Sequence, residues 1–293
     1  MLLENYRPGV IAAMGYGWES VHERFPHLIM CSVSGFGQTG PDSGKPAMDV
    51  VVQALSGVMS ITGFEDRPGV GCGAAIADVS AGMMAANGIM ASYIGRQATG
   101  EGNLVDVSML DVMVMQMARQ LSRFSNGTLD QPVRAGSASP TAAPFDTYKT
   151  ADGEIALIGL NPNHWDLICD VLGDDAIRDD PRYDTRHNRR NHYDDFKPQL
   201  ESLLSERTAL EWSELFGAAG VPCAPVNDLQ GVLDMPQLEA RNMFPTTPDG
   251  QTVVGTPVKL SNVPDPTVVA PEFGKGEHTE RVLGALGLGA SKL

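Results

Sequence analysis

One carboxylate in this chain is placed where it could do chemistry. Gly71-Cys-Gly-Ala-Ala-Ile-Ala-Asp78-Val-Ser-Ala-Gly82 is a run of small residues that brings Asp78 to the start of an apolar helix. A carboxylate there lies in the field of the helix dipole, beside backbone N–H groups that no helical carbonyl occupies. Both favour the ionised carboxylate. The same position equally suits a structural N-cap, a common task for aspartate. Asp49, following Ala47-Met48, opens another helix and suits capping or assistance to an acid. Elsewhere reactive side chains are scattered. Cys31, Cys72, Cys169 and Cys223 lack C-x-x-C spacing, which argues against structural zinc or a disulfide framework, and they are expected as free, buried thiols. His22, His27, His164, His187, His192 and His278 show no i, i+4 arrangement, so no metal is expected.

The elements that must position these residues follow from apolar periodicity. Leu28-Ile-Met-Cys-Ser-Val33 is a continuous apolar run, hence a buried strand, and it feeds the glycine-rich loop Ser34-Gly-Phe-Gly-Gln-Thr-Gly-Pro41. Loops at strand C-terminal ends are where α/β sheets hold ligands. Asp49 to Ser60 reads as one helix whose stripe of Val51, Val52, Leu55, Val58 and Met59 is mostly core. A second helix runs from Asp78–Ser80 to about Gln97, apolar around most of its circumference and so expected to be buried, with a glycine C-cap after Thr99. Leu104 to Met109 reads as a strand and Asp111 to Phe124 as a helix. Asn126 to Pro144 is a linker or mobile loop. Beyond it, Ala151-Asp152-Gly153 predicts a hairpin whose tight turn takes positive φ angles. Helices are expected at His164–Leu172, Asp194–Leu204 and Thr208–Ala219, the last with a Thr208-x-x-Glu211 capping box. The organisation predicted is α/β, with a large domain over 1–141, a smaller α+β domain over 142–245, and a Pro- and Gly-rich return to the large domain over 246–293.

Bulk properties exclude several classes. The chain has 293 residues, 42% hydrophobic, with a net charge of −15. That balance disfavours nucleic acid as a partner. The densest basic stretch, Arg182 to Arg190, is interleaved with Asp184 and His187 and reads as a solvated loop. No apolar run reaches the roughly 20 residues of a membrane span. No charged and apolar leader opens the chain, so a cytoplasmic protein is expected.

A set of motifs adds a resemblance. Glu4-Asn5-Tyr6-Arg7-Pro8-Gly9, Ser32 through Pro41, Asp49 to Gly57, Ile76 to Gly82, and Thr99 to Gly102 through Asp106-Val-Ser-Met-Leu-Asp111 stand in that order. Together they resemble the family III CoA-transferases, the formyl-CoA transferase or CaiB/BaiF family. Thr150-Ala-Asp-Gly153 and Gly220-Val-Pro-Cys-Ala-Pro-Val226 extend the resemblance through the smaller domain.

The resemblance implies a Rossmann-like large domain, incomplete here because a β-α-β segment precedes the Glu-Asn-Tyr-Arg-Pro motif in family members. It also implies an interlocked homodimer. CoA would move from an acyl-CoA to a carboxylic acid through Asp78, which is acylated to a mixed anhydride and then converted to an aspartyl-CoA thioester. Asn5, Tyr6 and Met14 would line the CoA site, with Met109 near the thioester. Coenzyme A and its thioesters would be substrates, with no permanently bound cofactor, and the identity of the acids stays open. A glycine-containing loop closes the site in family members, and Gly136-Ser-Ala-Ser-Pro-Thr-Ala-Ala143 is its candidate here. Two alternatives remain: an acyl-CoA racemase or isomerase of the same superfamily, and a shortened, non-catalytic CoA-binding subunit. The racemases need a histidine at the position of Met48, and a thioether cannot shuttle protons.

Overall fold

The computed structural model describes residues 1–128, 133–269 and 274–288. Its first half is built on three parallel strands in the order β1 (Leu2–Glu4), β2 (Met30–Ser34) and β3 (Leu104–Ser108). Cys31 lies between Leu3 and Val105 in the middle of the register. Helix α1 (Trp18–Arg24) carries the crossover from β1 to β2. Helices α2 (Asp49–Leu55), α3 (Val58–Ile61) and α4 (Ile76–Thr99) carry the one from β2 to β3. Helices α5 (Met109–Gln116) and α6 (Ala118–Ser125) follow. Parallel neighbours need such helical crossovers, so the alternation expected from the sequence is what the topology requires.

Helix α4 is the spine of this half. Ala77, Ala81 and Ala85, spaced by four, form one buried row against Cys31, Val52, Val107 and Met113. Methyl side chains let the helix approach the sheet closely. The expectation that α4 is buried all round is wrong. Val79, Met83 and Met90 are exposed, and Ile94 is 71% exposed, because the alanine row faces the sheet while the bulky residues point away. The single helix expected over Asp49–Ser60 is also corrected. Gly57 takes a left-handed conformation (φ 87°) that ends α2 and starts α3, so the apolar positions never form one stripe. Val52 and Gln53 are buried, whereas Val51 and Leu55 are exposed. Likewise the helix expected over Asp111–Phe124 divides at Met117, whose N–H bonds the carbonyls of both Met113 and Val114. Among the cysteines, Cys31 and Cys169 are buried and Cys223 partly so, but Cys72 is exposed on the loop before α4.

The second half has an antiparallel sheet in the order β4 (Phe145–Lys149), β5 (Glu154–Ile158), β6 (Cys223–Pro225). Helices α7 (His164–Leu172), α8 (Asp175–Asp179), α9 (Arg186–Asn191), α10 (Tyr193–Leu204) and α11 (Ala209–Ala218) pack on it. Alternate strand residues Tyr148, Ile155 and Leu157 meet Ile168, Phe196, Leu200, Trp212 and Phe216 in a core of its own. The hairpin is present, but its turn takes no positive φ at Asp152 or Gly153. Instead Thr150 closes it. Its N–H donates to the Gly153 carbonyl at 2.9 Å, and its hydroxyl accepts the Gly153 N–H and donates to Asp152. The capping box of Thr208 and Glu211 forms as expected. Buried Asp146 accepts from Lys197 Nζ at 2.6 Å and from the Tyr193 hydroxyl.

After β6, short helices at Leu229–Leu233 and Pro236–Ala240 lead into irregular chain pinned at Asp265, which accepts from Lys259 and Asn242. No described helix is long and apolar enough to cross a membrane.

Candidate active site

A cavity of about 710 Å3 opens at the C-terminal ends of β1 and β2, beside the start of α4. Four of the five candidate residues, Asn5, Tyr6, Asp78 and Met109, line it. The fifth does not. Met14 lies exposed on the wide helical turn Ala12–Tyr16 and does not line this cavity.

Each wall has a local cause. At the end of β1, buried Glu4 accepts the Tyr6 N–H at 2.8 Å, which turns the chain so that Asn5 and Tyr6 reach the opening. The glycine-rich loop follows β2. A Cβ on Gly35 would lie 2.1 Å from that of Ala47, so only glycine allows the loop and the Ala47 segment to close up there. Asp106 of β3 fixes the loop by accepting the Gln38 N–H at 3.0 Å. Met109 is buried at the first position of α5, where Ser108 caps the helix by accepting the Asp111 N–H. Beneath, burial, with Glu4 and Asp106 adding, pushes the Cys31 thiol up from its ordinary value.

Asp78 is not the N-cap that its position in the sequence allows. Ala75 holds that place, and Asp78 is the third residue of α4. The capping oxygen comes from Asp49 instead. Its Oδ2 accepts the N–H of Ala77 at 2.8 Å and of Asp78 at 3.2 Å. Its Oδ1 accepts from Nε2 of buried Gln53, whose Oε1 takes the Cys72 N–H at 2.8 Å. Asp49 therefore caps α4 across the site rather than its own helix. The Asp78 carboxylate is left exposed, with no hydrogen-bond or ion-pair partner among the described residues.

Several lining groups were not singled out from sequence, though two lie within its motifs. The Arg7 guanidinium has no partner among the described residues, and Lys45 is paired with Asp42 at 2.7 Å. Ser34 is buried, lines the cavity, and its hydroxyl has no hydrogen-bond partner. Met48, at the position where the racemases need a histidine, lines it too, largely exposed. No group of three metal-ligating side chains occurs among the described residues. The loop Gly136–Ala143 does not line this cavity. Gly136 N–H bonds the Gly63 carbonyl, and the loop's far end is held where Ala143 donates to Arg186 O and accepts from Arg189 Nε.

Known proteins resemble this chain in sequence and in fold. The sequence model of CoA-transferase family III matches residues 1–279. An acetyl-CoA:oxalate CoA-transferase of Acetobacter aceti is 37% identical over 267 residues, covering 91% of this chain and 68% of its own. A succinate–glutarate CoA-transferase of Agrobacterium fabrum is 34% identical, covering 98% and 72%. The crystal structure of a CAIB/BAIF family protein from Brucella suis superposes with a TM-score of 0.87 at 28% identity, over 97% of this chain and 74% of that one.

Proposed function

The chain belongs to CoA-transferase family III, and from that premise we propose that it moves CoA from an acyl-CoA to a carboxylic acid, with Asp78 as the covalent nucleophile. The observation that carries this is the Asp78 carboxylate, free of partners on the rim of a cavity that Asn5, Tyr6 and Met109 also line. An Asp78 oxygen attacks the thioester carbonyl and CoA thiolate departs, leaving a mixed anhydride. The thiolate then attacks the Asp78 carbonyl carbon, which releases the donor acid and forms an aspartyl-CoA thioester. An acceptor carboxylate attacks that thioester, and the returning thiolate takes the acyl group from the second anhydride and regenerates Asp78. No water is consumed, so each anhydride must be kept from solvent. The loop Gly136–Ala143 is the segment we assign to closing the site.

Asn5 and Tyr6 contact CoA, and Met109 borders the thioester. Met14, outside the cavity, would join the CoA site only if its turn moves toward Tyr6. The relatives named above are transferases for oxalate, succinate and glutarate, so a small dicarboxylic acid is the acceptor class proposed for this chain. The cations of Arg7 and Lys45 suit either the CoA phosphates or the acid's second carboxylate. Met48 favours transfer over racemisation at this site. The uncovered apolar side chains of α4 support assembly with a second copy as an interlocked homodimer.

The test is a transfer assay. Purified chain is incubated with acetyl-CoA or succinyl-CoA and each of oxalate, glutarate and succinate, and the new thioester is measured by mass spectrometry. Formation of a new acyl-CoA that Asp78→Asn abolishes supports the proposal. Exchange of the substrate α-proton with deuterated solvent, without transfer, would overturn it.

A further inference from the structure

A second cavity, of about 550 Å3, shares no lining residue with the first and is rimmed by positive charge. Arg119 of α6, Arg186 and His187 of α9, and Ser139 and Thr141 of the 136–143 loop line it, and among the described residues no carboxylate does. Phe145 and Leu160 supply apolar wall. Its size is that of a small-molecule site.

The chain leaves these charges unanswered. Neither Arg119 nor His187 has a side-chain partner among the described residues, and Arg186 makes one bond, to the Leu160 carbonyl at 3.3 Å. Nearby arginines behave differently. Arg178 pairs with Asp170, and Arg182 with Asp180 and Asp195. Asp184, the acid nearest in sequence, is engaged by Asn188 at 2.8 Å. In a chain with 36 acidic residues against 21 Lys and Arg, two guanidiniums and an imidazole, all exposed, line one concavity with no acid among its described lining, which suits an external anion. The basic stretch that reads as a solvated loop thus has one edge turned into a cavity.

We propose that this cavity binds the oxyanion end of a small molecule, a phosphate or carboxylate group, gripped by Arg119 and Arg186, with His187 and the loop hydroxyls beside it. The planar fork of a guanidinium matches two oxygens of either group, and two such forks select an anion over a neutral ligand. Phe145 and Leu160 would take the ligand's apolar body. No residue that lines this cavity lines that of Asp78, although the two sites share the 136–143 loop assigned to closing the latter.

The experiment follows the ring resonances of His187 in the full chain with isotope-labelled histidine, assigned by their absence from His187→Gln. Inorganic phosphate, adenosine 3′,5′-bisphosphate and glutarate are titrated separately at fixed ionic strength. The expected result is a saturable shift at His187 but not at His22 or His27. Arg119→Gln and Arg186→Gln should each weaken it about tenfold, and Asp78→Asn should leave it unchanged. A response to the two phosphates alone assigns the site to a phosphate ester, and a response to glutarate alone assigns it to a carboxylic acid. Absence of a saturable shift from all three, or equal affinity in both glutamine variants shown to be folded by circular dichroism, overturns the proposal.

Discussion

Replacing Asp49 tests how Asp78 is held. The polar chain around it converges on its carboxylate: Cys72 N–H to Gln53 Oε1, Gln53 Nε2–H to Asp49 Oδ1, and the Ala77 and Asp78 N–H groups to Asp49 Oδ2. Only a group that accepts at both ends closes it, and a carboxylate is such a group. Asparagine is not, because its NH2 must face either Gln53 Nε2 or the two backbone N–H groups. Turning the Gln53 amide to compensate would point its own NH2 at Cys72 N–H. Asp49→Asn therefore leaves one donor–donor contact and costs about 1 to 3 kcal/mol. Asp49→Ala removes the cap of α4, about 0.5 to 2 kcal/mol. It also takes one acceptor from the buried Gln53 NH2, which keeps only the Cys72 carbonyl at 3.5 Å, at about 1 to 3 kcal/mol more. Roughly 1.5 to 5 kcal/mol is expected in all. Fraying of the first turn would also move the Asp78 carboxylate, and a displacement of about 1 Å costs on the order of a hundredfold in rate. Urea unfolding reads the first effect, and the rate of Asp78 labelling by an acyl-CoA, in variants still folded, reads the second. An Asp49→Asn protein with parental stability and labelling rate would refute the reasoning.

Other consequences are as direct. Ser34→Ala deletes a buried hydroxyl that has no partner, so stability should hold or rise by up to about 1 kcal/mol in thermal melts while KM for a substrate rises, and a fall in stability with unchanged KM would contradict a binding role. Arg189, buried under the loop base, donates to the carbonyls of Ala143 and Tyr183 and lies 4.3 Å from the Trp165 ring. Arg189→Met should destabilise by about 2 to 4 kcal/mol in urea, since both buried carbonyls lose their charged donor. Burial pushes the Cys169 thiol up to about 11 from 9.0. Above pH 9 the unfolded thiol loses its proton while the folded one keeps it, so stability present below pH 9 is lost between about 9 and 11, by up to about 3 kcal/mol. Cys169→Ala should flatten that part of the stability–pH curve, and an unchanged slope would contradict the assignment.

Much of this was legible in the sequence because it depends on local rules. Thr208 and Glu211 announce their own cap, and the apolar run around Cys31 announces a buried strand. The address of Asp78 was legible to within three residues, since a small-residue run before a long apolar helix marks a helix start. What was hidden depends on partners far along the chain. That Asp49 supplies the cap for α4 across 28 residues has no local signature, and it reverses the simplest role for Asp78. The turn at Thr150 was mistaken for a positive-φ turn because Asp-Gly permits one, whereas the Thr150 hydroxyl closes it another way. The apolar circumference of α4 predicts a helix buried all round. Periodicity records how apolar a face is, and the exposure of Met83 and Ile94 shows that this chain does not cover it.

The most direct measurement is on Asp78 itself. Folded chain is incubated with a panel of acyl-CoA thioesters, quenched in acid, digested, and the masses of its peptides are determined. The account predicts an acyl or CoA adduct on the peptide that carries Asp78, absent in Asp78→Asn. An adduct that persists in that variant, or no adduct from any donor, would contradict it.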